Sequence, residues 1–408
     1  MRVGQSWGSG RERKRKHERR FDDYDERAPL LGRPGIVRGS HPAAFRPFTR
    51  VREVFFSGAF GPMLGAVSHS SDPHARRFMK VQHFASVGTP RVFVIHENDA
   101  WVEPLRRELA LLGVPFSEWF LDEGMLHLAM TPPEGIFYNR MSASSHTRGH
   151  RYAPEFAGAV LAWLKRQGRV VVNGERALQL ELSKVAQYEA LKAFGITTPD
   201  TIAVIGRDNI ADAAKKIGFP VILKHNRAGK GLGVRLLFSA AGLAEHIGSS
   251  DFEESRDGIT LVQQYIKAPA PFITRVEFVG GKLVYAVRVD TSQGFELCPA
   301  DACQTEAVSS ACPTVAAGDK FQILPTFEHP LLPAWQAFLS ANDIDIAGVE
   351  FISDAAGHNF TYDINTNTNY NPEAEAKDGR RGMRAIAAYL ASLLAERCRP
   401  ISQPASAA

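Results

Sequence analysis

Cysteine is scarce, with four in 408 residues. That excludes a disulfide-built fold and points to a reducing, cytoplasmic setting. No apolar run approaches the roughly 18 residues that a membrane-spanning helix needs. The start, MRVGQSWGSGRERKRKHERR, is basic but has no apolar stretch behind it, unlike a secretory signal. Charge of one sign is not in excess either. The net charge is +4, much of it in that start, so nucleic acid is not the expected partner. The Walker pattern GxxxxGK[ST] is absent. What is present is an ordinary globular composition, 44% hydrophobic and 23% charged, with length for two or three domains.

Residues 1–78 read as a disordered basic tail around the charge run 11–20, and Met79 is a second candidate start. Residues 79–174 alternate strand and helix patterns. Strands are expected at Arg91–Ile95, Val114–Leu121, Gly135–Asn139 and Arg169–Asn173. One helix is capped by Asp99 and stopped by Gly113, and another runs from about Phe156 to Arg166. This is the pattern of an α/β domain with a parallel sheet, whose ligands sit beyond the carboxyl ends of strands. The loop Arg140–His150 leaves such an end. It brings Arg140, Ser142, Ser144, Ser145, His146, Arg148 and His150, a set that suits an anionic substrate, with Arg140, Ser145 and His146 singled out as candidate contacts; a solvated loop is the plain alternative. No carboxylate or cysteine stands nearby in the sequence, which argues against a metal at His146 and His150.

Residues 175–266 form the next unit. LELSKVAQYEALKAFG reads as one amphipathic helix stopped by Gly195, and a later helix is capped by Asp208. The strand Pro220–Asn226 leads into the loop Arg227–Gly233, another strand, VRLLF, a helix near Ala240–Ile247 and the strand Thr260–Ile266. Gly229, Gly231 and Gly233 would let backbone N–H groups approach phosphate oxygens, with Lys230 adding charge, unless the loop is simply a glycine turn. Lys224 lies inside an apolar strand, where a cation needs an anionic partner.

Residues 267–396 carry two hairpins. Gly280-Gly281 is a two-residue turn that pairs Val279 with Lys282 and places Arg275 and Arg288 diagonally on one face. Two such forks suit phosphate or carboxylate oxygens, although Glu277 and Asp290 share their parity and allow a salt-bridge lattice instead. The second hairpin, in IAGVEFISDAAGHNFTYDINTNTNYN (346–371), folds back about Ala356 and Gly357. It sets Glu350 opposite Asp363, with Asn365 on the same face. Facing carboxylates destabilise a sheet unless a cation bridges them, and this oxygen set suits magnesium; a surface hairpin with scattered polar groups is the plain alternative. Cys298, Cys303 and Cys312 match no zinc spacing and are expected to be small apolar fillers. Residues 397–408 are expected to be a flexible tail.

These stretches resemble the ATP-grasp superfamily, most closely its ribosomal-protein glutamate ligase branch. The resemblance lies in SKVAQYEALKAFGITTPDT, PVILKHNRAGKGLGV, VQQYI, ITRVEFVGGKLVYAVRV, GVEF and YDINTNTNYN, in the family's order, across about three quarters of the chain. It implies an α/β pre-ATP-grasp domain followed by two α+β subdomains that enclose ATP. Lys184 and Lys224 would contact the α- and β-phosphates, and the Arg227–Gly233 loop would close over the triphosphate. Gln263, Gln264, Tyr265 and Ile266 would form the adenine-binding hinge. Arg275 and Arg288 would bind the transferred phosphoryl group. Glu350, Asp363 and Asn365 would hold Mg2+, with Mn2+ an alternative ion, and Asn367 is a further candidate contact. The implied activity is ATP-dependent carboxylate–amine ligation through an acyl phosphate, with a small-molecule kinase as the alternative. The partners would be a small carboxylic acid and an amine or amino acid, such as glutamate, or a protein or peptide terminus. A homo-oligomer is compatible with this reading. The segment KAPAPF lacks the acidic residue that commonly binds ribose.

Overall fold

The computed structural model describes residues 89–229, 231, 233–292 and 320–398. The basic tail, Met79, Lys230, the three clustered cysteines and most of the C-terminal tail lie outside them.

Three sheets follow one another along the chain. The first is parallel, in the order β2-β1-β3-β4, from β1 (Arg91–His96), β2 (Phe116–Phe120), β3 (Gly135–Asn139) and β4 (Val170–Val172). Helices α1 (Asp99–Leu111) and α2 (Ala153–Arg166) connect its strands. The strand β1 is buried almost throughout, as a strand covered on both faces should be. The cap of α1 is Asn98, whose side chain accepts from the Trp101 backbone N–H; Asp99 is the first helical residue instead.

Next come α3 (Glu175–Leu182) and α4 (Lys184–Lys192). The single helix expected here is broken at Ser183, which is extended (φ −139°, ψ 107°) and caps α4 by accepting from the Ala186 backbone N–H. Asn226 reinforces the break. Its side-chain oxygen accepts from Val185 N (2.9 Å) and its backbone oxygen from Lys184 N (3.3 Å). The start of α4 is therefore bound by a neighbouring strand end rather than by more helix.

The second sheet is antiparallel, in the order β5-β8-β6-β7, from β5 (Thr201–Ile205), β6 (Val221–His225), β7 (Arg235–Leu237) and β8 (Ile259–Gln264). Helices α5 (Ile210–Ile217) and α6 (Ala240–Gly248) cover it. A short 3-10 turn, Arg207–Asn209, precedes α5, and no side chain caps that helix, so Asp208 does not have the capping role expected of it.

The third sheet is antiparallel, in the order β11-β10-β9-β12-β13. Its strands are β9 (Phe272–Val279), β10 (Lys282–Asp290), β11 (Phe321–Leu324), β12 (Ile346–Ser353) and β13 (Asn359–Asn365). Helix α7 (Leu332–Ala341) packs Trp335 and Phe338 beneath one face. After β13 come α8 (Pro372–Asp378) and α9 (Gly382–Arg397). The last helix turns back to the start of the chain: Ile386 and Leu390 share a core with Val92, Val94, Leu105 and Leu109.

The edge strand β13 is covered by α4. Gln187 both donates to Ile364 O (2.8 Å) and accepts from Ile364 N (3.0 Å), and Tyr188 donates to Tyr362 O (2.9 Å). Side chains of α4 thus supply the ladder partners that a further strand would give, which closes an otherwise adhesive edge.

Candidate active site

Both hairpins of the third sheet contain a bulge, and the two bulges decide which side chains meet. In the β12–β13 pair, Ser353 lies opposite Asn359 and Phe351 opposite Thr361; a register shift then sets Glu350 opposite Asp363. Two residues, Tyr362 and Asp363, face one across this step, so both line the cleft, together with Glu350 and Asn365. In the β9–β10 pair, Val279 lies opposite Lys282, but the register shifts between Leu283 and Tyr285. Arg275 consequently pairs with Val287, and Arg288 with Thr274. Counting in twos from the turn fails across this shift, so Arg288 lies on the opposite face from Arg275. It is exposed, its guanidinium carbon 4.7 Å from the Phe272 ring centroid, and it does not join the cleft.

Arg275 is central to the carboxylate face. β12 pairs with β9 so that Glu350 lies opposite Arg275 and Gly348 opposite Glu277. Arg275 Nε donates to Glu277 (2.6 Å), Nη1 to Glu350 (3.1 Å) and Nη2 to the Thr368 hydroxyl, which in turn donates to Glu277 (2.8 Å). A Cβ at Gly348 would come within 2.6 Å of the guanidinium, so the glycine of GVEF is what admits Arg275. Burial raises the proton affinity of the Glu277 carboxyl against the pull of Arg275. It does the same at Glu350, where Arg275 opposes it and Asp363 adds to it.

The lysines enter from two other elements. Lys184, in the first turn of α4, places Nζ 2.6 Å from Asp363 Oδ1. Burial works against its charge, but Asp363 and Tyr188 outweigh that and raise its pKa. Lys224, on β6, is 6% exposed and donates to the Tyr188 hydroxyl. Its Nζ is 5.2 Å from the Tyr188 ring centroid and 5.7 Å from that of Tyr362. Burial, with Lys184 nearby, lowers it to about 7.

The hinge strand forms another wall. β8 ends at Gln264, and Gln263, Gln264, Tyr265 and Ile266 all line the cleft. The Gln263 side-chain nitrogen donates to the Tyr188 and Thr201 hydroxyls (3.1 and 2.8 Å). Gly229 and Gly231 also line the cleft, and a Cβ on Gly229 would lie 3.6 Å from Ser144. Gly233 (φ +71°) instead sits against the His225 ring.

The loop after β3 contributes part of the set expected of it. Ser142 and Ser144 line the cleft, rather than Ser145 and His146, which are not among its lining residues. Arg140 is 2% exposed and clasps the Asn-rich segment, through Asn367 (3.1 Å), Asn369 (2.8 Å) and Thr368 O (3.0 Å). It positions Asn367, which does line the cleft, and is not itself presented to a substrate. A carboxylate does reach the loop: Glu97, just past β1, binds Arg148 through both oxygens (3.0 and 2.6 Å) and His150 Nδ1 (3.0 Å). Sequence separation concealed it.

Glu350, Asp363 and Asn365 offer hard oxygens on one face, which fits magnesium. Among the described residues no group of three or more His, Cys, Asp or Glu that could hold a metal gathers, and the further oxygen-bearing side chain beside the two carboxylates is the Asn365 amide. Asn365 already lies 3.0 Å from Glu350, and rotating its amide turns oxygen toward the carboxylates. Two further cleft residues, Glu181 and Tyr362, carried no signal in sequence, since each depends on a break or bulge that tertiary contacts impose.

Residues 183–276 match the family described as the carbamoyl-phosphate synthase L chain ATP-binding domain. A Danio rerio β-citrylglutamate synthase B is 29% identical over 128 residues, 31% of this chain and 31% of the relative. A Homo sapiens N-acetylaspartylglutamate synthase A is 26% identical over 168 residues, 40% of this chain and 41% of the relative. The chain thus matches about a third to two fifths of these relatives' length. Among solved structures, a RimK domain ATP-grasp protein from Sphaerobacter thermophilus superposes with TM-score 0.50 at 18% identity, covering 73% of this chain and 98% of that one. The ATP-grasp ligase PsnB, complexed with its minimal precursor, gives 0.54 at 14% identity, covering 74% and 98%. Residues 183–276 are thus similar to that ATP-binding family, and the chain shares its fold with ATP-grasp proteins of the RimK and PsnB type.

Proposed function

We propose that the protein is an ATP-dependent carboxylate–amine ligase working through an acyl phosphate with Mg-ATP, Mn2+ being an alternative ion. The observation that carries this is one cleft holding paired carboxylates, Glu350 and Asp363, with two lysines and Arg275. Bound there, the metal-nucleotide supplies the phosphoryl group that activates a carboxylate. Lys184 and Lys224 neutralise phosphate charge, and Gln263–Ile266 seat the base. Glu350, Asp363 and Asn365 hold the metal. Arg275, kept in place by Glu277 and Thr368, faces the charge that develops on transfer. The β-citrylglutamate and N-acetylaspartylglutamate synthases carry glutamyl products in their names, which makes glutamate the first amine to test. A peptide acceptor is the second, since PsnB was solved with a precursor. The four cysteines fit a cytoplasmic enzyme.

The test is ADP release screened over acid–amine pairs, with mass spectrometry of products. ADP release that requires both an acid and an amine, with an amide product, is expected. A stable phosphorylated product from one substrate alone would make it a kinase.

A further inference from the structure

Glu181 is a cleft carboxylate with no part in binding the nucleotide or the metal as described above. It lies near the end of α3, ahead of the break at Ser183 that separates that helix from Lys184. One oxygen, Oε2, accepts from Thr366 N (2.9 Å) and from the Thr366 hydroxyl (3.1 Å). The other, Oε1, has a 3.5 Å approach from Ala143 N, too long to satisfy a carboxylate oxygen. The donors on Glu181 are thus neutral. Lys184, the cation whose charge acts on it, is itself bound to Asp363.

Its position fits a substrate contact. Thr366 directly follows the metal-binding Asn365, and Ala143 sits between the cleft residues Ser142 and Ser144. Glu181 therefore lies between the place of phosphoryl transfer and the serine loop. The wall there is formed by the Glu181 carboxylate and the hydroxyls of Ser142 and Ser144, whereas Lys184 and Lys224 lie beside Asp363 and Tyr188. Such a wall attracts a cation with several N–H donors.

We propose that Glu181 binds the ammonium group of the amine substrate and accepts its proton before the amine attacks. This rests on the ligase reading above. The ammonium passes one proton to Glu181 Oε1 and becomes a neutral amine. The amine lone pair forms the C–N bond at the acyl carbon, and the C–O bond to phosphate breaks, phosphate leaving with that electron pair. The second amine proton departs with phosphate, and Glu181 returns its own to solvent. Burial and the nearby Asp363 raise the proton affinity of the Glu181 carboxyl, which suits an acceptor.

Glu181→Gln tests this, because the amide oxygen can still accept from Thr366 and keep α3 in place. Hydroxylamine is the discriminating probe: it is uncharged near neutral pH and captures an acyl phosphate as a hydroxamate without first losing a proton. The full chain is assayed with Mg-ATP, using the acid and amino acid that give the most product in the pairwise screen. Amine-dependent kcat/KM is expected to fall about 100-fold, with hydroxamate formation and the KM for ATP within about twofold of wild type. Parallel loss of both reactions would make Glu181 a structural tie and overturn the proposal, as would an unchanged amine reaction. If the wild-type protein forms neither amide nor hydroxamate from any acid, the ligase reading itself falls, and this inference with it.

Discussion

At the scale of single residues, charge and space are tightly constrained around Arg275 and Lys224. Gly348→Ala adds one carbon that would lie 2.6 Å from the Arg275 guanidinium, which three bonds hold in place. Overpacking of this kind costs about 1–3 kcal/mol. The variant is expected to melt lower and to lose at least ~10-fold in turnover, because Arg275 must leave its position to make room. Unchanged kinetics would show that Arg275 does not act on the reacting groups. Lys224 gives a pH signature. Its folded pKa is about 7, set by burial and Lys184; in the unfolded chain it is about 10.4. Between those values the unfolded state binds more protons, so this residue makes stability rise with pH across the window. Below pH ~7 the buried charge costs its full amount. Lys224→Met should therefore raise the melting temperature of the nucleotide-free protein at pH 6, with the gain shrinking toward pH 10. Nucleotide binding should take up a proton above pH ~7, and affinity should weaken by up to about tenfold per pH unit there. Calorimetry in buffers of different ionisation enthalpy measures that proton directly.

At the scale of elements, polar side chains join strands that belong to different sheets. Asn173 (φ +54°), just after β4, donates to Ile346 O (2.7 Å) and Thr366 O (2.8 Å). It also accepts from the backbone N–H groups of Asp345 (3.0 Å) and Ile346 (3.1 Å). Asn173→Ala leaves these groups buried without partners and puts a Cβ residue without a compensating bond at positive φ. A loss of about 3 kcal/mol or more in urea unfolding is expected; a loss under ~1 kcal/mol would mean that water replaces the amide. Such junctions explain what could be read from sequence and what could not. The strands of the first sheet were legible because both of its faces are covered, and their apolar runs stand out between turn residues. The parity argument was sound only within an unbroken register. In the β9–β10 hairpin a bulge removes Arg288 from the face on which counting had put it. In the β12–β13 hairpin the tip is centred on Ala356, which alone would set Glu350 opposite Tyr362; a bulge of one residue restores Asp363. The carboxylate pair was thus correct for a reason that the turn residues do not contain. Glu181, Asn173 and Glu97 could not be found by spacing, since their partners lie in other sheets or far along the chain.

At the scale of the whole molecule, the chain's last helix secures its first sheet. α9 buries Ile386, Leu390 and Leu394 against Val92, Val94, Leu105 and Leu109, and its flank is tied by ion pairs from Arg381 and Arg384 to Glu108 and from Arg397 to Glu134. The sequence reading placed the residues of this helix in the unit 267–396 and read no helix among them, and order along the chain does not show which sheet receives a segment. The same core contains Ile273, Val287 and Val289 from the third sheet, so apolar contact runs from the first sheet to the strands that carry Arg275. If that core is shared, the first and third sheets cannot unfold separately. Leu390→Ala should cost about 2–5 kcal/mol. The loss should appear equally at Trp119, in the first sheet, and at Trp335, beneath the third. Both can be followed by fluorescence in single-tryptophan variants, and coincident denaturation curves are the expected result. Separate transitions, with only the Trp119 signal shifted by Leu390→Ala, would mean that α9 belongs energetically to the first sheet alone. A chain cut after Arg381 extends the test: it should lose nucleotide binding together with the fold of the first sheet, although every proposed phosphate and metal contact precedes the cut.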